Sequence, residues 1–292
     1  MSKSMPLSNV IGSVVSAGIR QWVRLFGQRV EKSGSRWLDC PMGEKGRIGA
    51  EFYPRLAQRE NLRIVPSADA GLIPDFDRLR GDEFEPADIL PAIRDFYEHT
   101  SRYHLEAWSE APIMTRVFLW GLTRFVSRPM DQLNFPVSSL ELSSGMTSDI
   151  LPMVDRAGQL RYTGWLRRLA SDQRVIYTGL YSVGGLPDIT QPCVKVSFPL
   201  PLGSSTVFLR PQAQPDRSLK LISGGDRFGQ PGFYRMVDID ENYWRVRYLR
   251  TLRETFHLYV DPQGYLRTDH TVRFLGFTPL RLHYKIQPKS PA

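Results

Sequence analysis

The trio that comes nearest to a catalytic arrangement is Asp95, His99 and Tyr103. They recur at i, i+4 and i+8, so a continuous helix would stack them on one face. Asp95 would then orient the imidazole, and His99 would serve as general acid or base with Tyr103 beside it. The same spacing also describes a polar helix surface whose i,i+4 pairs stabilise the helix and do no chemistry.

A second set is cationic: Arg245, Arg247, Arg281 and His283, with Arg273 and Lys285. These alternate with apolar neighbours, as in Trp244-Arg245-Val246-Arg247 and Leu280-Arg281-Leu282-His283. In extended chain each group shares one face. Lining the mouth of a barrel, that face would offer a cationic pocket to an anionic head group. Turned to water, it is the wet side of a half-buried sheet. Trp108 and Trp120, with Phe125, are candidates for the apolar lining of such a pocket or for plain core.

Familiar reactive patterns are missing. His99 and His104 are five residues apart, about 140° around a helix, and cannot chelate one metal from it. Cys40 and Cys193 are too few and too far apart in sequence for a cysteine-based zinc site. There is no Gly-X-Ser-X-Gly elbow, and the glycine-rich stretch Gly43 to Gly49 has neither phosphate-loop nor dinucleotide spacing. Lys195 sits in a strand-like segment with nothing in sequence to mark its surroundings. Asp269 and His270 are adjacent, so in a strand they point to opposite faces. No metal and no cofactor are expected.

The elements that would position these residues fall into two styles. Val10 to Val30 reads as an amphipathic helix with Ile11, Val15, Ile19, Trp22 and Phe26 in its apolar stripe. Pro86 to Tyr103 and Ile113 to Val126 also read as helices, the latter apolar on most sides. From Val137 the rhythm changes to short β-branched and aromatic runs, with turns at Asp155 to Gly158, Asp238 to Asn242 and Asp261 to Gly264. No helix-length segment separates these runs, which favours antiparallel pairing. The expected fold is α+β: a mainly helical region over residues 1–135, an antiparallel barrel-like or sandwich domain over 136–288, and a tail over 289–292.

Composition sets the outer limits. The chain has 292 residues, is 41% hydrophobic and carries a net charge of +8, mostly from arginine. The excess positive charge suits an anionic partner, although charge sets solubility and non-specific binding more than function. No nucleic-acid-binding signature accompanies it, so nucleic acid is not an expected partner. No run of 18 apolar residues occurs, and the N-terminal apolar stretch is broken by Gly12, Ser13 and Ser16. The expected location is the cytoplasm, with contact to an anionic membrane through residues 10–30. The leading functional expectation is binding of a lipophilic, anionic-headed small molecule in a β-barrel-type pocket. The alternatives are a metal- and nucleotide-independent acid/base enzyme acting on such a molecule, and a protein-interaction role.

Overall fold

The computed structural model describes residues 7–112, 127, 131–132, 134 and 145–289. The helix expected at 113–126, with Trp120 and Phe125, and the strand expected at 139–142 lie outside the described residues.

Three α-helices and fourteen strands are present among these residues. The helices are α1 (Leu7–Phe26), α2 (Phe52–Arg59) and α3 (Pro91–Glu98). The N-terminal part supplies strands β1 (Gln28–Glu31), β2 (Arg63–Ile64) and β3 (Tyr103–Glu110). A run of long hairpins follows: β4 (Met146–Val154), β5 (Leu160–Leu169), β6 (Val175–Leu186), β7 (Ile189–Leu200) and β8 (Gly203–Ala213). The remainder are β9 (Leu219–Ile222), β10 (Gly232–Asp238), β11 (Tyr243–Tyr248), β12 (Leu252–Val260), β13 (Leu266–Phe274) and β14 (Phe277–Pro288).

All these strands belong to one antiparallel sheet ordered β2-β4-β5-β6-β7-β8-β9-β12-β13-β14-β3. It branches at β8, whose first half also pairs with β10 and whose last residues pair with β9. The branch continues through β11 to β1. Turn chemistry fixes the hairpin registers. At the β4–β5 turn Asp155 accepts hydrogen bonds from the Ala157 and Gln159 amides, and Gly158 takes φ +78°. No ladder among the described residues closes the sheet. Its edge strand β3 and the part of β4 beyond the two-residue β2 instead face each other across a cleft of about 850 Å³.

Strands from the 1–135 region join the same sheet as those of the 136–288 region. β1 pairs with β11, β2 with β4, and β3 with β14 along its whole length. One hydrophobic core joins Phe76, Ile93, Phe96 and Leu105 to Trp165, Val196, Leu258 and Leu282. The physical reason is burial on two sides. Strands β5 to β8 have apolar residues at successive positions, such as Cys193-Val194 and Val207-Phe208-Leu209, so each outer face needs cover. α2 supplies it over β4 to β6, where Tyr53 and Leu56 pack on Met153, Leu166 and Leu180. The 36–40 segment, with β10, β11 and β1, supplies it over β7 and β8.

Candidate functional site

Alternation along β5 places Thr163, Trp165, Arg167 and Leu169 on the inner face, and Trp165 and Leu169 join the main core there. Arg167 occupies the same parity and is only 5% exposed. Its direct cross-strand neighbours are Tyr177 on β6 and Ser148 on β4. The guanidinium carbon lies 5.0 Å from the Trp165 ring centroid and 5.1 Å from that of Tyr284 on β14. Nη2 is 3.5 Å from the Met146 sulfur. Among the described residues Nε has no hydrogen-bond partner and no carboxylate lies within ion-pairing distance of Arg167.

Other polar groups face the same interior. The Tyr177 hydroxyl donates to the Tyr181 hydroxyl at 3.3 Å, and burial pushes both phenols well above their ordinary range. Glu254 on β12 lies close enough to raise both phenols further. Its carboxylate is 3.5 Å from Nε2 of His270 on β13, whose ring stacks on Phe256 at 3.9 Å. Trp165 Nε1 is buried and makes no hydrogen bond among the described residues. The open groups on the inner face of β5 are Arg167 Nε and Trp165 Nε1, both donors, and the Thr163 hydroxyl, which can donate or accept; the two N–H groups suit an acceptor or an anion. The cleft between β3 and β4 is lined in part by Leu105, Ala107 and Met146. Met146 also touches Arg167, so the cleft reaches the edge of the cluster.

The residues singled out from sequence lie elsewhere. α3 ends at Glu98, His99 leaves the helix at φ −135°, and Tyr103 opens β3. The stop is set by Thr100, whose hydroxyl donates to the Phe96 carbonyl at 2.6 Å and accepts from the Leu72 amide. The expected trio is thereby split. Tyr103 donates to the Asp95 carboxylate, while His99 Nδ1 lies 2.8 Å from Asp69. Asp95 does not orient His99.

The cationic set is divided as well. Arg245 and Arg247 on β11 donate to the Gly27 and Phe26 carbonyls, each at 2.9 Å, and so cap the C-terminal end of α1. Arg281 and His283 lie on the outer face of β14. His283 is 2.7 Å from Asp269 and stacks against the partly exposed Trp108, while Arg281 lines a smaller cleft of about 400 Å³. These four residues do not form one pocket. The inner residues carry a signal that was open to reading: a polar side chain at apolar parity, as in Trp165-Leu-Arg167 or Thr268-Asp-His270.

Over 250 residues, 83% of this chain, the sequence is 28% identical to a Bacillus subtilis (strain 168) protein named Uncharacterized membrane protein YndJ. The match covers 42% of that protein, so this chain spans less than half of its relative's length. No family model matches the chain. No solved structure matches it either. The cytoplasmic location expected from sequence is overturned by this relation, because the relative is named a membrane protein. Among the described residues no helix is long and apolar enough to cross a membrane, which leaves crossing by strands unaddressed.

Proposed function

We propose that the inner face of the sheet forms a barrel-type container for a lipophilic small molecule with an anionic head group. Arg167 takes the head group, Trp165 Nε1 adds a second donor, and the β3–β4 cleft is the way in. The observation that carries this reading is Arg167 itself: a guanidinium 5% exposed, held between two aromatic rings, with no anion from the described protein. Burying a charge without a counter-ion costs several kcal/mol. Pairing with a ligand carboxylate or phosphate offsets that cost. The surrounding aromatic and aliphatic side chains suit an apolar tail. The name of the relative, a membrane protein, is in keeping with a ligand of the lipid class.

The test is a binding titration with a long-chain fatty acid and the fatty alcohol of equal length, on the wild type and on Arg167→Met. The wild type is expected to prefer the acid by about 100-fold, the worth of one charge-assisted hydrogen bond in a dry site. The variant should bind both amphiphiles equally and weakly. A wild type that does not distinguish acid from alcohol would remove Arg167 from the reading.

A further inference from the structure

α1 turns the wrong face outward for a helix that serves only its own core. Val23 and Ser16 pack toward the sheet, whereas Trp22, Leu25 and Phe26 are 39%, 65% and 60% exposed. A second apolar element stands at the β13–β14 hairpin, where Phe274, Leu275 and Phe277 are 47%, 60% and 76% exposed. The two elements are tied to opposite ends of one short segment. Phe26 accepts a hydrogen bond from Arg247, and the Leu275 amide donates to the Thr251 carbonyl at 3.1 Å.

The hairpin tip is informative because its backbone argues against its sequence. Phe274 pairs with Phe277, leaving a two-residue turn in which Leu275 has φ +52° and Gly276 φ +86°. Such a turn favours Asn-Gly, and leucine is poorly suited to a left-handed backbone. An exposed leucine at this position serves neither the turn nor the core. The charge around it is positive in balance, with Arg250, Arg253 and Arg273 beside the exposed carboxylate of Asp226, which pairs with Arg253. α1 contains Arg20 and Arg24 and no acidic residue. Between the apolar elements, Arg247 bonds the Phe26 carbonyl and Arg250 the Asp226 carbonyl, both main-chain groups.

From these features we infer that the α1 and β13–β14 apolar elements together dock the protein on an anionic lipid bilayer, with the arginines between them meeting the head groups. Exposed apolar side chains beside arginine match an interface that is apolar below and negatively charged above. This inference is independent of the interior site.

Co-sedimentation of the full chain with phosphatidylcholine vesicles, with and without about one-third phosphatidylglycerol, tests it. The wild type is expected to bind the anionic vesicles, to bind the neutral ones less, and to be released in part by high salt. Leu275→Asn suits the turn better than leucine, so its melting temperature should be equal or higher, yet its vesicle affinity should fall about tenfold. Leu25→Gln with Phe26→Gln should cause a similar loss from the other element. Failure of the wild type to bind anionic vesicles, or wild-type binding by Leu275→Asn, would overturn the inference. So would a concentration-dependent dimer in solution that Leu275→Asn dissociates, since a second copy would then be the occupant.

Discussion

Arg167 and Lys195 are buried to a similar degree, 5% and 8% exposed, on opposite faces of the same sheet. Lys195 points into the outer core between β7 and the 36–40 segment. Its ammonium donates to the Trp37 carbonyl at 2.9 Å and to the Asp39 carbonyl, and burial lowers its pKa. Arg235 in the same region behaves alike: it donates to the Ser204 and Met236 carbonyls, and burial pushes it down to about 10. Each of these cations donates to two main-chain carbonyls, which is a folding role. Arg167 fastens no backbone. It meets two rings and a thioether, and its Nε has no partner among the described residues. Equal burial thus conceals unequal purpose, and the partner set distinguishes a structural cation from one placed to receive something.

That difference predicts opposite responses to the same substitution. Lys195→Met should destabilise the fold by about 1–3 kcal/mol, because two main-chain carbonyls lose their donor. Urea denaturation would measure it, and an unchanged midpoint would erase the distinction. Arg167→Met should leave stability within about 1 kcal/mol of the wild type or raise it, since replacing a buried charge by an apolar side chain is neutral to favourable. A large loss of stability there would make Arg167 another structural cation.

A smaller effect reads both faces through pH. Tyr177 in the interior and Tyr53 beneath α2 are fully buried, and desolvation is the main cause that raises both phenols. The unfolded chain would release these protons near pH 10 while the folded chain keeps them. Stability from each tyrosine is therefore fully present below pH 10 and lost above it, by about 1.4 kcal/mol per pH unit. Spectrophotometric titration should show part of the phenolate signal appearing only together with unfolding. Full ionisation in a folded chain would contradict the burial of these phenols.

Much of the sheet was legible in the sequence. Alternation in Leu280-Arg281-Leu282-His283-Tyr284 and in Phe256-His257-Leu258-Tyr259-Val260 gives the observed inner and outer faces of β14 and β12. β7 is legible only in its centre, Val194 to Phe198, because Pro199 reads as a strand end, while the strand runs from Ile189 to Leu200. Pro199 sits in the β7–β8 ladder opposite Ser204, and Pro192 falls where the β6–β7 register shifts between Gly184 and Leu186. β3 is not read from the sequence: only its first residue, Tyr103, falls within the expected helix Pro86 to Tyr103, although Tyr103, Leu105 and Ala107 alternate with polar residues. Its partner β14 lies more than 150 residues away, and so distant a pairing leaves no local trace. The site was missed for a related reason. Alternation directs attention to arginines on polar faces, whereas the informative one stands at an apolar position, where only the three-dimensional partner set shows that no anion among the described residues meets it.

The central claim is best tested by native mass spectrometry of freshly purified wild type and Arg167→Met, followed by organic extraction and identification of any adduct. A stoichiometric lipophilic adduct with an acidic head group is expected on the wild type, and its loss is expected from the folded variant. An equal load of the same adduct on both proteins, or an adduct without an acidic group, would contradict the role assigned to Arg167.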